Sequence, residues 1–262
     1  MRGEEARMTE RQLERVVAIV TGASGGIAAG IARALAREGA RVALVSRSLE
    51  RTERIARDIE AAGGAAAAFA ADVTRADDVL TMVAGVLQRW GHVDVLVNGV
   101  GGFHGKASIE EITEAQWDEV MALNMKSAFL CAQAVARPMK ARRSGRIINI
   151  GSQAASGPNP HANSFLPYGA AKAGLIGFTK HLAKELGPFG ITVNAVSPGL
   201  TLTERAKKNR DAATLQRIVA STPLRTVVEP EDTAAAVVFL ASAAGRYITG
   251  VNLNVNAGAA IL

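Results

Sequence analysis

Val16-Val-Ala-Ile-Val20 runs without a break into Thr21-Gly-Ala-Ser-Gly-Gly-Ile-Ala28, and the order of these two pieces decides the fold. The first piece is apolar on both of its faces, as a strand buried between two layers must be. The second is glycine-rich and opens a helical pattern over Gly26–Glu38. Glycine allows backbone amides to approach a phosphate closely, and a helix N-terminus favours negative charge. A glycine turn directly after an N-terminal strand is therefore expected to cradle the pyrophosphate of a dinucleotide.

The same alternation continues along the chain. Arg41–Val45, Val93–Val97, Arg146–Ile150 and Ile191–Val196 are short and doubly apolar; Ala65–Ala71 is a weaker strand and Asn252–Val255 a plausible last one. Between them the 3.6-residue period predicts helices over Gly26–Glu38, Glu50–Ala62, Ala76–Trp90, Glu114–Ala141, Pro167–Leu186 and Pro230–Leu240. Gly105–Thr113 and Thr203–Thr222 read as loops or short helices. Strands alternating with helices predict an α/β fold: a single Rossmann-type doubly wound parallel β-sheet with helices on both faces. Residues 1–14, of mixed charge, read as a flexible leader, and residues 15–262 as one domain.

Composition narrows the classes of function. Apolar residues make up 48% of the 262, enough for a large core. The single cysteine, Cys131, excludes an intramolecular disulfide and suggests a reducing, cytoplasmic setting. No window resembles a membrane span. A net charge of +6 raises the question of nucleic acid, but aromatics are only 4% of the residues, too few for base-stacking platforms. The densest basic patch, Lys140–Arg146, falls where a helix C-terminus favours positive charge. A small anionic ligand fits this balance better than nucleic acid. No His/Cys cluster at metal-ligand spacing is present, so no metal is expected.

Coenzyme choice is read at the end of the second strand, Val45-Ser46-Arg47. An acid there would hold a ribose 2′-hydroxyl and repel a 2′-phosphate. Ser46 removes that repulsion, and the Arg47 guanidinium suits a phosphate, so NADP(H) is expected over NAD(H). Arg47 would equally suit the start of a solvated helix.

Thr21-Gly22-(three residues)-Gly26-Ile27 resembles the nucleotide loop of the short-chain dehydrogenase/reductase family, with Ala28 where that family usually has glycine. Gly145-Arg-Ile-Ile-Asn-Ile-Gly-Ser152, Tyr168-Gly-Ala-Ala-Lys172-Ala-Gly-Leu175 and Ile191-Thr-Val-Asn-Ala-Val-Ser-Pro-Gly199 extend the likeness over roughly Val16 to Gly258. It is closest to the 3-oxoacyl-(acyl carrier protein) reductase-like branch. The resemblance implies a cofactor site at Gly22, Ser24, Gly26, Ile27, Ser46, Arg47, Asp72, Val73, Asn98, Tyr168, Lys172, Pro198, Gly199 and Thr203. Asp72-Val73 matches the adenine-binding pair. Asn98-Gly99-Val100-Gly101 keeps only Asn98 and Gly101 of the family's Asn-Asn-Ala-Gly, with Asn98 as a sheet-stabilising residue. Asn256-Ala257-Gly258 departs from the usual Asp-Gly-Gly.

Chemistry is carried by Ser152, Tyr168 and Lys172. Residues four apart on a helix share a face, so Lys172 is expected beside the Tyr168 ring. Its ammonium should lower the phenol's pKa from near 10 towards the working range, while Ser152 donates to the substrate oxygen. By resemblance, Asn124 is the fourth catalytic residue and helps hold a proton-relay water. The expected reaction transfers a hydride between NADP(H) and a carbonyl/secondary alcohol, a 3-oxoacyl thioester or another ketone. A non-catalytic nucleotide-binding sensor or scaffold would be expected to lose Tyr168 or Lys172. Sugar epimerases and dehydratases share the pair but need a larger substrate region.

Substrate identity is expected to reside in Gly102–Lys106, Gln153–Leu166 and Leu200–Arg225, with His104 and His161 as optional contacts and Thr203–Thr222 as a lid. Arg205, Lys207, Lys208 and Arg210 would suit an anionic or carrier-linked substrate and equally an exposed helix face. The resemblance implies a homotetramer packed through Glu114–Ala141 and Pro167–Leu186.

Overall fold

The computed structural model describes residues 11–103, 105, 107–157 and 165–261. His104, Pro158, Pro160, His161 and the first ten residues of the expected leader lie outside them. Residues 11–15 form a turn whose Leu13 side chain is buried, with its N–H donating to the Glu38 carbonyl.

Seven parallel strands form one sheet in the order β3-β2-β1-β4-β5-β6-β7. They are β1 Val17–Thr21, β2 Arg41–Ser46, β3 Ala65–Ala70, β4 Val95–Asn98, β5 Gly145–Ile150, β6 Ile191–Pro198 and β7 Asn252–Val255. The central strands are apolar throughout because both of their faces are covered: every residue of β1, β4 and β6 is buried. The alanine-rich β3 is one of the two edge strands and is only partly buried, which is why its sequence signal is weak.

One face packs against α1 (Gly26–Arg37), α2 (Leu49–Ala61) and α9 (Pro230–Ala241), through Ile31, Leu35, Ile55, Ile59, Val237 and Leu240. The other packs against α3 (Ala76–Trp90), α5 (Ser127–Arg142) and α6 (Leu166–Leu186), through Val79, Val83, Val86, Val135, Met139 and Leu186. Each helix thus buries the apolar stripe that its period predicts. The strand order reverses between β1 and β4, so a crevice opens at their C-terminal ends, where open α/β sheets bind ligands.

Two segments refine the sequence reading. The helix expected over Glu114–Ala141 is interrupted: α4 (Glu114–Met121) gives way to one π-helical turn, Ala122–Lys126, before α5 begins. Thr203–Thr222 contains two short helices, α7 (Glu204–Lys208) and α8 (Ala212–Ser221), anchored by buried Ala206 and Ile218. A bridge between Thr201 and Val228 ties the base of this segment down.

Candidate active site

The glycine loop sits at the C-terminal end of β1. Gly22 and Gly26 have φ of +74° and +58°, backbone that L side chains rarely adopt. A Cβ on Gly22 would lie 2.9 Å from the Gly99 carbonyl oxygen, whereas nothing lies within 4 Å of one on Gly25. The loop is therefore closed towards β4 and open on its outer side. Ser24 and Ile27 are partly exposed on that side, and the free N–H groups of α1 face it, as a pyrophosphate requires.

Ser46 is nearly buried at the end of β2, and its hydroxyl is engaged locally, donating to the Ser48 carbonyl (3.0 Å) and accepting from the Ser48 N–H (3.1 Å). Arg47 follows, exposed, and its charge reaches Asp72. Burial pushes the Asp72 carboxyl upward, but hydrogen bonds from the Thr74 hydroxyl (2.7 Å) and N–H (3.0 Å) outweigh it, and with Arg47 and Arg75 they hold Asp72 below its ordinary value. Val73 is buried beside it. Pro198 ends β6, Gly199 donates its N–H to Val255 (2.9 Å), and the Thr203 hydroxyl caps α7 by accepting from Ala206 N–H (3.2 Å). The Thr203 methyl approaches to 3.5 Å of where a Cβ on Gly26 would be, so this segment closes over the glycine loop.

Asn98 is buried and joins β4 to β5 by donating to Asn149 Oδ1 (2.8 Å), and Asn149 donates to the Thr179 hydroxyl on α6 (2.9 Å). Asn149 and Thr179 were not singled out from the sequence. Their signal is a polar residue in the middle of an apolar strand and another on a buried helix face, since buried polar groups demand partners. Asn98 thus does hold the sheet together, within a three-residue chain.

The chemical residues meet one layer further along the crevice. Ser152 follows β5 and caps a single 3-10 turn, its hydroxyl accepting from Ala154 N–H (3.1 Å). It also hydrogen-bonds with the Tyr168 phenol. Lys172, one turn along α6, is buried and donates to the Ile150 carbonyl at 2.7 Å, with its Nζ 5.8 Å from the Tyr168 ring centre. A Cβ on Gly101 would lie 2.7 Å from Asn124 Oδ1 and 2.9 Å from Lys172 Nζ, which fixes glycine there and shows how tightly Asn124 and Lys172 converge.

Asn124 explains the π turn. Its Nδ2 donates to the Val120 carbonyl (2.9 Å), supplying the bond that an α-helical N–H would have made, while Ser127 N–H reaches back five residues to Ala122. Nδ2 also donates to the Gly102 carbonyl (2.7 Å), and Oδ1 accepts from Gly102 N–H (2.9 Å). Both amide protons are thus used on backbone carbonyls, and the side chain can offer a water only a lone pair on Oδ1.

The acidity of Tyr168 departs from the sequence expectation. Burial raises its pKa, and this outweighs the Ser152 hydrogen bond and the charge of Arg205, which both lower it. The Lys172 Nζ is directed at the Ile150 carbonyl, and burial lowers its own pKa to about 8. Arg205, on α7, was read as an exposed face; its Nη1 comes within 3.9 Å of where a Cβ on Gly102 would sit. Phe103 forms the neighbouring wall, its ring 4.9 Å from that of Tyr168 and 5.7 Å from that of Phe165.

The site thus combines an open glycine loop with a hydroxyl, a phenol and an ammonium at the end of the same sheet. A family model described as enoyl-(acyl carrier protein) reductase matches residues 22–260. A 3-oxoacyl-(acyl carrier protein) reductase of Synechocystis is 41% identical over 245 residues, covering 92% of this chain and 96% of that protein. The chain belongs to the short-chain dehydrogenase/reductase family. It is an oxidoreductase of that family's 3-oxoacyl-(acyl carrier protein) reductase-like branch. The reductase FabG of Staphylococcus aureus is 40% identical over 242 residues, covering 92% of this chain and 96% of its own. Among solved structures, a putative short-chain alcohol dehydrogenase from Sinorhizobium meliloti superposes with a TM-score of 0.88 at 35% identity, covering 95% of this chain and 98% of its own. A 7 alpha-hydroxysteroid dehydrogenase complexed with NADH and 7-oxo glycochenodeoxycholic acid gives 0.89 at 31% identity, covering 95% and 96%. Among the described residues no helix is long and apolar enough to cross a membrane, and no group of three or more His, Cys, Asp or Glu side chains could hold a metal.

Proposed function

We propose that this chain is an NADP(H)-dependent reductase of a 3-oxoacyl thioester or related ketone, with Tyr168 as proton donor. The observation that carries this reading is the convergence of Asn124 and Lys172 on Gly101, with Tyr168 beside Lys172 and hydrogen-bonded to Ser152, next to an open glycine loop. The loop around Gly22, Ser24, Gly26 and Ile27 would hold the pyrophosphate, Arg47 the 2′-phosphate, and Asp72 and Val73 the adenine. Pro198, Gly199 and Thr203 would lie along the carboxamide, with Asn98 bracing the strands beneath.

The cofactor supplies the hydride when bound. Ser152 hydrogen-bonds the substrate oxygen and stabilises the negative charge that grows there. Tyr168 gives that oxygen its proton. The resulting phenolate is countered by the nearby Lys172 ammonium, 5.8 Å from the ring centre. Lys172 Nζ has three donors, of which the Ile150 carbonyl takes one, leaving two for ribose hydroxyls. Asn124 acts as a clamp that holds the Gly102 peptide against the site.

We further propose a homotetramer in a cytoplasmic setting, with residues 15–262 as the catalytic domain. An apolar groove formed by Met121, Ala122, Met125, Phe129 and Phe178 on α4, the π turn, α5 and α6 supports self-association through these helices. NADPH oxidation measured with a panel of ketones, 3-oxoacyl thioesters and enoyl thioesters tests the activity. Oxidation that depends on an added ketone or 3-oxoacyl thioester is the expected result. Nucleotide binding without turnover would overturn it in favour of a sensor, and turnover of enoyl thioesters alone would overturn the carbonyl assignment.

A further inference from the structure

Arg205 is not needed to build the fold. Its α7 is held by the buried Ala206, the Thr203 cap and the Thr201–Val228 bridge, and the side chain itself is exposed. Among the described residues it has no carboxylate within 4.0 Å; its neighbour Glu204 pairs instead with Lys207 at 3.7 Å. The guanidinium leans inward, 3.9 Å from where a Cβ on Gly102 would sit. Gly102 is the peptide clamped by Asn124; Gly101 before it faces Lys172 Nζ; Phe103 after it packs against Tyr168 at a tilt.

This places a positive charge beside Gly102 and within electrostatic reach of the Tyr168 phenol. The phosphate loop lies on the other side of the segment, where the Thr203 methyl meets Gly26. A guanidinium binds carboxylates through two parallel hydrogen bonds, and such charged bonds are the strong ones in partly dry sites. Phe103, next in the chain, stacks on the buried Phe165, which lowers the local dielectric beside Gly102.

We propose that Arg205 is a specificity residue that selects carbonyl substrates carrying an anionic group, a carboxylate above all, a few bonds from the carbon that is reduced. This rests on the reductase reading above and takes its ketone arm, because a thioester carries no carboxylate beside the reduced carbon. It predicts that a free 3-oxo acid is bound better than its neutral ester, a preference that the polarity of the substrate alone would not give.

The test compares 3-oxobutanoate with its methyl ester under saturating NADPH, in the wild-type chain, Arg205→Gln and Arg205→Lys. In Arg205→Gln, KM for the anion is expected to rise at least tenfold more than KM for the ester, the scale of a lost charged hydrogen bond. Arg205→Lys should recover part of that difference, because it keeps the charge and loses the fork. The dissociation constant of NADPH, followed by fluorescence, should change less than twofold. An equal loss on both substrates, or a loss expressed only in kcat, would overturn the proposal and assign Arg205 to the phenol instead. Weakened NADPH binding would overturn it in favour of a phosphate contact. Turnover of neither compound, nor of any ketone, would remove the reductase reading itself, whereas anion turnover indifferent to Arg205 removes only this inference.

Discussion

Ala28 and Gly99 meet across the crevice between α1 and the end of β4: a Cβ on Gly99 would lie 3.0 Å from the Ala28 methyl and 2.5 Å from the Thr21 carbonyl oxygen. Both positions depart from the family's usual pattern, in opposite directions of size. The methyl gained at residue 28 stands against the side chain missing at residue 99, so the two departures form one packing solution. The Gly99 N–H still donates to the Thr21 hydroxyl at 3.1 Å, which keeps β1 and β4 in register at the nucleotide site.

Gly99→Ala should therefore destabilise the protein by about 1–3 kcal/mol, the scale of overpacking a tight interior. Adding Ala28→Gly should return part of this loss but not all, because the Thr21 carbonyl remains in the way. Urea unfolding of the two single variants and the double variant measures the coupling. Strict additivity would show that the two residues do not share this space.

Arg47→Asp should raise the KM of NADPH by about tenfold or more, the scale of one charged hydrogen bond plus repulsion of the 2′-phosphate. The KM of NADH should change little. Removing the arginine also takes away a charge that helps keep Asp72 ionised, so an effect on both coenzymes through the adenine pocket is the contrary result. Steady-state kinetics with each coenzyme separates them.

Lys172 is held as a buried ammonium against its own desolvation, and its pKa falls from 10.5 to about 8. Below about pH 8 both the folded and unfolded chains carry this proton, and folding works against the burial. As pH rises from about 8 towards 10.5 the unfolded chain alone retains the proton, and this group's contribution shifts in favour of folding. Lys172→Met should abolish turnover yet stabilise the protein at pH 7 by about 1–2 kcal/mol, once the lost hydrogen bond to Ile150 is set against the relieved burial. That gain should shrink as pH rises towards 10. Thermal unfolding from pH 6 to 10 gives both numbers, and a variant less stable at every pH would contradict the account.

Phe129 is 45% exposed on α5, at the apolar groove shared with Phe178. Phe129→Glu should shift the protein towards smaller species in light scattering at micromolar concentration, because a charge buried at an interface is costly unless paired. An unchanged mass would contradict the proposed self-association through this groove.

Most of the sheet was legible because a strand covered on both faces writes a continuous apolar run, as in Ile191–Pro198. Ala65–Ala70 was faint for the converse reason, since an edge strand asks less of its side chains. The π turn was invisible: Ala122-Leu-Asn-Met-Lys126 is an ordinary helical stretch, and what breaks it is a tertiary clamp between Asn124 and Gly102. Spacing placed Lys172 and Tyr168 on one face, but it did not reveal that burial would dominate both titrations. Arg205 looked like one cation among four on a solvated helix, and only the fold brings it to Gly102.

The proton donor is the centre of the account, and Tyr168→Phe tests it most directly, because it removes one oxygen and leaves the ring packed against Phe103. NADPH oxidation with a 3-oxoacyl thioester and NADPH binding by fluorescence are measured on the same preparation. The account predicts that turnover falls by about a thousandfold or more, within the range of a lost general acid, while NADPH still binds. Turnover within tenfold of the unsubstituted protein would contradict it.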